Sequence, residues 1–135
     1  MSVQPVLING QWRSSVGKET FQAVDPSTKQ PLAEQFPISP WVEIEEAIRH
    51  AAEAAAIVRG WPGERFAAFL EDYATRIEAR AADIIAIAHR ETGLPVEPRL
   101  KIAELPRTVN QLRQAATCTR DGSWATATIA IFCLF

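Results

Sequence analysis

At Ser39-Pro40 the spacing of apolar residues changes, and this change limits what the chain can fold into. Before it, apolar residues come in short runs separated by turn-forming pairs. Beyond it they recur every three or four residues, the period of a helix with one buried face. The chain therefore reads as short strands and turns first and helices after them.

In the front part, Val6-Leu7-Ile8 and Gln11-Trp12-Arg13 flank Asn9-Gly10. Both turn residues tolerate the positive φ of a type I′ turn, so a hairpin is predicted there. A second hairpin is predicted from Phe21-Gln22-Ala23-Val24 to about Leu32–Ile38. It turns at Asp25-Pro26-Ser27-Thr28, where proline presets φ and the short polar side chains bond locally. Ser39 is expected to cap the first helix and Pro40 to occupy its first turn, where a missing N–H costs nothing. Ile44, Ile48, Ala51, Ala55 and Val58 form that helix's apolar face. Gly60-Trp61-Pro62-Gly63 breaks the chain. The second predicted helix carries Phe66, Phe69, Leu70, Tyr73, Ile77, Ala81, Ile84 and Ala88 on its inner stripe and stops near Gly93, with Pro95 just beyond. A third runs from about Pro98 to Arg120, with Leu105, Val109, Leu112 and Ala116 in phase and a kink or restart at Pro106.

The length, 135 residues, is that of one ordinary domain, and 47% hydrophobic against 22% charged residues supplies a core. A net charge of −2 and a pI near 5.7 come without a clustered basic face, which argues against nucleic acid as a partner. The start, Met1-Ser2-Val3-Gln4-Pro5, has neither the basic segment nor the apolar stretch of a secretory signal, and Cys118 and Cys133 make no disulfide framework. A cytoplasmic location and no membrane partner are expected. The end is unusual: Ala125 to Phe135 carries no charge. It is too short to span a bilayer, which takes about 20 helical residues. A β-prone, uncharged terminus of this kind is an aggregation liability, and the expectation is a chain cut short by a frameshift or similar truncation.

Chemistry-bearing residues are sparse. Cys118 has Arg113 and Arg120 near it in sequence, and positive neighbours favour a thiolate, yet no histidine or glutamate is placed to activate it. Cys133 sits in the apolar tail. His50 and His89 lack partners at metal-ligand spacing, so no metal site is expected. Glu43, Glu45 and Glu46 read as a solvated, dipole-matched helix start, with Glu45 able to pair with Arg49. The six glycines never fall into a phosphate-loop spacing, and there is no Gly-x-Ser-x-Gly elbow.

Several stretches, in order, resemble the N-terminus of the aldehyde dehydrogenase superfamily. Leu7-Ile8-Asn9-Gly10-Gln11-Trp12 is similar to its opening hairpin, and Val24-Asp25-Pro26-Ser27-Thr28 with Pro31-Leu32-Ala33 to its second. Glu43-Ile44-Glu45-Glu46-Ala47-Ile48 through Ala54-Ala55 resembles its first helix. Arg76-Ile77-Glu78-Ala79-Arg80 and Glu91-Thr92-Gly93-Leu94-Pro95 resemble its second helix and exit, the last being the most specific match. The run Arg99-Leu100-Lys101, Glu104-Leu105-Pro106-Arg107-Thr108, Asn110-Gln111-Leu112-Arg113-Gln114 and Asp121-Gly122-Ser123-Trp124 is most similar to the 2-oxoglutarate semialdehyde (2,5-dioxopentanoate) dehydrogenase branch.

The resemblance implies an NAD(P)-dependent oxidation of an aldehyde through a cysteine thioester, with a base glutamate and an oxyanion asparagine. None of these catalytic groups, nor the cofactor loop, maps onto this chain, so no catalytic or cofactor-binding residue is assigned. The isolated chain is expected to bind neither NAD nor NADP and to be inactive. One position remains. If the resemblance aligns the third helix with the family's substrate tunnel, Arg107 could hold the carboxylate of an oxo-acid aldehyde by a bidentate fork. The alternative is a surface arginine pairing with Glu104 at i, i+3.

The expected architecture is therefore α/β: N-terminal hairpins plus three helices, an incomplete piece of a Rossmann-like cofactor domain. Residues 1–129 would form the dehydrogenase-like part and 130–135 an unrelated apolar tail. Exposed apolar helix faces would favour self-association. Two rival readings stand beside this one: a helical module that binds a full-length relative, and a small thiol enzyme using Cys118.

Overall fold

The computed structural model describes residues 3–122. The predicted first hairpin forms as read: β1 (Val6–Ile8) pairs antiparallel with β2 (Gln11–Arg13), Leu7 opposite Trp12. Asn9 and Gly10 both take positive φ, 50° and 74°. The second hairpin is a ladder of two short pairs. β3 (Thr20–Phe21) pairs with β6 (Phe36–Pro37), and inside them β4 (Val24–Asp25) pairs with β5 (Gln30–Pro31). Asp25 organises the tip. Its carboxylate accepts the Ser27 N–H at 2.8 Å and the Ser27 hydroxyl at 2.5 Å, and these bonds hold its pKa below the usual carboxylate range. The turn closes with the Lys29 N–H on the Asp25 carbonyl at 2.7 Å, Lys29 itself at φ 58°.

Four helices follow where three were expected: α1 (Trp41–Val58), α2 (Gly63–Ala79), α3 (Ala81–Thr92) and α4 (Leu105–Asp121). A wide π-type turn segment, Val96–Glu104, joins the last two, with Glu97 extended inside it. The expected long second helix breaks at Arg80, whose φ −109°, ψ 19° is not helical. No glycine or proline marks that break. Tertiary packing imposes it: the turn sets Ile84, Ile85 and Ala88 of α3 against Leu100 and Leu105 beside Ile77 of α2. The third helix does restart at Pro106, which lies in the first turn of α4, where it lacks no helical hydrogen bond. Ser39 does not cap α1. Pro40 is the boundary residue, without a side-chain cap, and the Ser39 hydroxyl bonds the Glu43 carboxylate instead.

The main core is the crossing of α2 and α4. Its buried side chains are small: Ala67, Ala74 and Ala116 are fully enclosed, with Val109 nearly so. Small residues let two helix backbones approach closely, which increases dispersion contact per unit length. A second cluster places Ile85 of α3 on Leu100. Among the described residues the only sheets are two-stranded and antiparallel, so no part of the expected Rossmann-like sheet is present in them.

The Glu91-Thr92-Gly93-Leu94-Pro95 segment has a local explanation. Gly93 ends α3 at φ 69° and donates its N–H to His89 O at 2.9 Å. The Thr92 hydroxyl donates to Ala88 O and accepts the Leu94 N–H, and the His89 ring bonds Leu94 O at 2.7 Å. A Cβ on Gly93 would lie 3.0 Å from Pro26 Cγ, so the glycine also lets the second hairpin sit against the helix exit. Gly93→Ala is expected to cost roughly 1–2 kcal/mol through the left-handed backbone alone. Urea denaturation should show a lowered midpoint at unchanged slope, and Gly93→Asn a smaller loss. An alanine variant as stable as the parent would contradict this geometry.

Candidate functional site

Arg107 extends from the first turn of α4, one residue after Pro106. Its Nη2 donates to Glu104 Oε2 at 2.5 Å, and Arg99 Nη2 reaches Glu104 Oε1 at 2.6 Å. Two guanidiniums thus clamp one carboxylate and leave one net positive charge. The Arg107 side chain is 65% exposed. Glu104 lies on the rim of a groove of about 310 Å³ lined by Tyr73, Ile77, Ile84, Leu100 and Leu105. The two arginines meet the groove only through Glu104, so a small aliphatic ligand ending in a carboxylate would have to share or displace that side chain to reach them.

The other sequence candidates are not gathered into this site. Cys118 is exposed on the last turns of α4. The arginines read as its neighbours are engaged elsewhere. Arg113 forms a two-pronged bridge to Glu78 at 3.0 and 2.5 Å, and Arg120 bonds Glu64 at 2.7 Å and Glu71 at 3.1 Å. These bridges tie α4 to α2 and hold Glu64 and Glu78 below the usual glutamate range. His89 belongs to the helix exit, and His50 bonds Glu53 at 3.2 Å. Among the described residues no three His, Cys, Asp or Glu side chains are grouped to hold a metal ion. Cys133 lies outside the described residues.

One residue the sequence reading assigned to solvent is buried. Glu43 is only 2% exposed, at the start of α1. It accepts the Ser15 hydroxyl at 2.5 Å and the Val16 N–H at 3.3 Å, and so pins the chain after β2 to the helix. Beside it Glu46 takes a two-pronged bridge from Arg13. Arg49 pairs with Glu53 at 3.0 Å, not with Glu45. No spacing in the sequence distinguishes Glu43 from its exposed neighbour Glu45. Only the tertiary approach of the hairpin does.

The sequence profile of the aldehyde dehydrogenase family matches residues 12–130. The chain belongs to the aldehyde dehydrogenase family. Among its relatives, alpha-ketoglutaric semialdehyde dehydrogenase 2 of Azospirillum brasilense is 41% identical over 111 residues, 82% of this chain and 21% of that protein. Alpha-ketoglutaric semialdehyde dehydrogenase of Acinetobacter baylyi is 30% identical over 123 residues, 91% of this chain and 23% of that protein. A solved NAD-dependent benzaldehyde dehydrogenase from Corynebacterium glutamicum superposes with a TM-score of 0.77 at 18% identity, over 88% of this chain and 25% of the other. An aldehyde dehydrogenase from Bartonella henselae gives 0.79 at 19% identity, with the same coverage. This aldehyde dehydrogenase family chain therefore spans about a fifth to a quarter of the length of those proteins. Its hairpins and helices hold the arrangement found in the longer chains. None of its described helices is long and apolar enough to cross a membrane.

Proposed function

We propose that this chain is the N-terminal part of an NAD(P)-dependent aldehyde dehydrogenase that oxidises 2-oxoglutarate semialdehyde to the acid, and that alone it does not turn over. The carrying observation is the 41% identity to the Azospirillum brasilense enzyme of that name. On this reading residues 1–129 are the dehydrogenase-like part, 130–135 form a tail outside the described residues, and the protein works in the cytoplasm.

The described residues do not fit the cofactor. A dinucleotide's pyrophosphate seeks a helix N-terminus free of negative charge. Here α1 opens with Glu43, α2 with Glu64 and α3 with Asp83, and Glu104 stands at the start of α4. Each sets a carboxylate at the helix start, where it competes with a phosphate for the free N–H groups. The contribution of this chain is therefore to substrate, through Arg107, whose planar fork would hold the far carboxylate of the oxo-acid while its aldehyde end reaches catalytic groups elsewhere in the enzyme.

Purified alone and given 2-oxoglutarate semialdehyde with NAD+ or NADP+, the chain should form no reduced nicotinamide. A chimera in which residues 12–122 replace the matching segment of the Azospirillum brasilense enzyme should be active. In that chimera Arg107→Ala should raise KM for the semialdehyde roughly 10–100-fold, the value of a lost charged hydrogen bond. KM for an uncharged aldehyde should stay unchanged. An equal effect on both substrates would remove Arg107 from carboxylate recognition, and turnover by the isolated chain would overturn the reading of the fragment.

A further inference from the structure

Glu104 stands between two parts of the molecule that differ in chemistry. On one side is the groove, where Tyr73, Ile77, Ile84, Leu100 and Leu105 present mostly apolar surface. On the other are Arg99 and Arg107, each bonded to a different oxygen of the Glu104 carboxylate, at 2.6 and 2.5 Å. The acid is the more enclosed partner, its side chain 22% exposed against 54% and 65% for the two arginines. Its main chain is held independently of its side chain. The backbone is helical at φ −73°, ψ −46°, and its carbonyl accepts the Thr108 hydroxyl at 2.9 Å. The carboxylate can therefore leave the arginines without unwinding α4. Two guanidiniums around one carboxylate keep a net positive charge, in a geometry already set for a carboxylate.

We propose that Glu104 is the specificity-determining residue of the seat between Arg99 and Arg107: it fills the place of a ligand carboxylate and yields to an aliphatic carboxylate whose chain enters the groove. The proposal rests on the reading of Arg107 given above. Competition is the physical basis. A tethered carboxylate acts at the effective concentration its short side chain imposes, at least about millimolar. A bare anion offers the arginines nothing that Glu104 does not already supply. An aliphatic chain adds about fourfold in affinity for each methylene it buries, and the groove beside Glu104 is the apolar surface that would take it.

The experiment titrates the full 135-residue chain with pentanoate, acetate and 1-pentanol, followed by NMR. The ring of Tyr73, the only tyrosine, reports the groove, and the guanidinium signals of Arg99 and Arg107 report the seat. In the parent, pentanoate should move both sets of signals and acetate neither. Glu104→Gln removes the charge and keeps the shape. It should tighten pentanoate at least about tenfold, bring acetate onto the arginines, and leave 1-pentanol unchanged. Glu104→Ala should also tighten pentanoate. Adding Arg107→Ala to Glu104→Gln should cancel the gain. A glutamine variant that binds pentanoate no better than the parent, or a gain that survives Arg107→Ala, overturns the proposal. Either result would make Glu104 a tie between the Val96–Glu104 turn and α4 and nothing more. The Arg107→Ala chimera separates the two ideas. If it loses affinity for the semialdehyde alone while Glu104→Gln gains nothing for pentanoate, carboxylate recognition by Arg107 stands and only the role of Glu104 falls.

Discussion

Gly63→Ala is expected to destabilise the protein by about 1–3 kcal/mol, the range for forcing volume into a close-packed contact. A Cβ at this position would lie 2.3 Å from the main-chain carbonyl oxygen of Thr119, far inside van der Waals contact. The atom it meets belongs to the backbone of α4, so no side-chain rotation relieves the clash and the helices must separate. Separation would loosen Ala67, Ala74 and Ala116, whose packing depends on close approach. Alanine's better helix propensity opposes the effect by at most about 1 kcal/mol, and less at a helix start. The clash therefore decides the sign. Gly60→Ala is the control, since nothing lies within 4 Å of its Cβ position, and it should stay within about ±0.5 kcal/mol. Urea denaturation of both variants makes the comparison, and equal stabilities would refute the close crossing of α2 and α4.

That crossing also shows where the sequence was readable. Val109 and Ala116 keep the predicted phase, because a helix in contact along one face imposes its period on the residues there. Asn9-Gly10 and Asp25-Pro26-Ser27 were legible for a similar reason: each turn is built by the residues that occupy it. Other features depend on groups distant in the chain. Lys29 takes a left-handed conformation that its side chain does not favour, in a turn whose length is set by the pairing of β4 with β5. Arg80 interrupts a run of good helix formers because α3 must turn onto Leu100. The sequence leaves both roles of Arg107 open, and the structure shows the pair with Glu104, which itself lines an apolar groove. The apolar stripe of α1 was legible as a stripe. Its outward aim was not, since that follows from contacts on the opposite face.

Those contacts centre on Glu43, and Glu43→Gln is expected to change the acid side of the stability curve. The Ser15 hydroxyl is the main cause holding the Glu43 carboxyl below the usual glutamate range, followed by the Ser39 hydroxyl; burial opposes them, and the Val16 N–H and the Arg13 charge add to the lowering. A folded pKa below the unfolded value, about 4.3, means that the unfolded chain takes up the proton first as pH falls. The stability contributed by the carboxylate is therefore complete above the unfolded value and is lost as pH drops through the folded one. Glu46, Glu64 and Glu78 shift in the same direction, so the parent protein weakens in acid for several reasons at once. The difference between parent and Glu43→Gln isolates one of them. It should be constant from neutral pH to about pH 5 and shrink below about pH 4. Glu43→Ala should be worse than glutamine at neutral pH, because the Ser15 hydroxyl and the Val16 N–H then lose their acceptor. The loss should appear first as faster amide exchange at Ile8 and Arg13, since the hairpin would be released while the α2–α4 core stays closed. A parent-to-glutamine gap that persists unchanged into strong acid would mean that hydrogen bonding without charge holds α1 to the hairpin, and exchange that quickens throughout the helices would mean that Glu43 supports the whole fold rather than the aim of one helix.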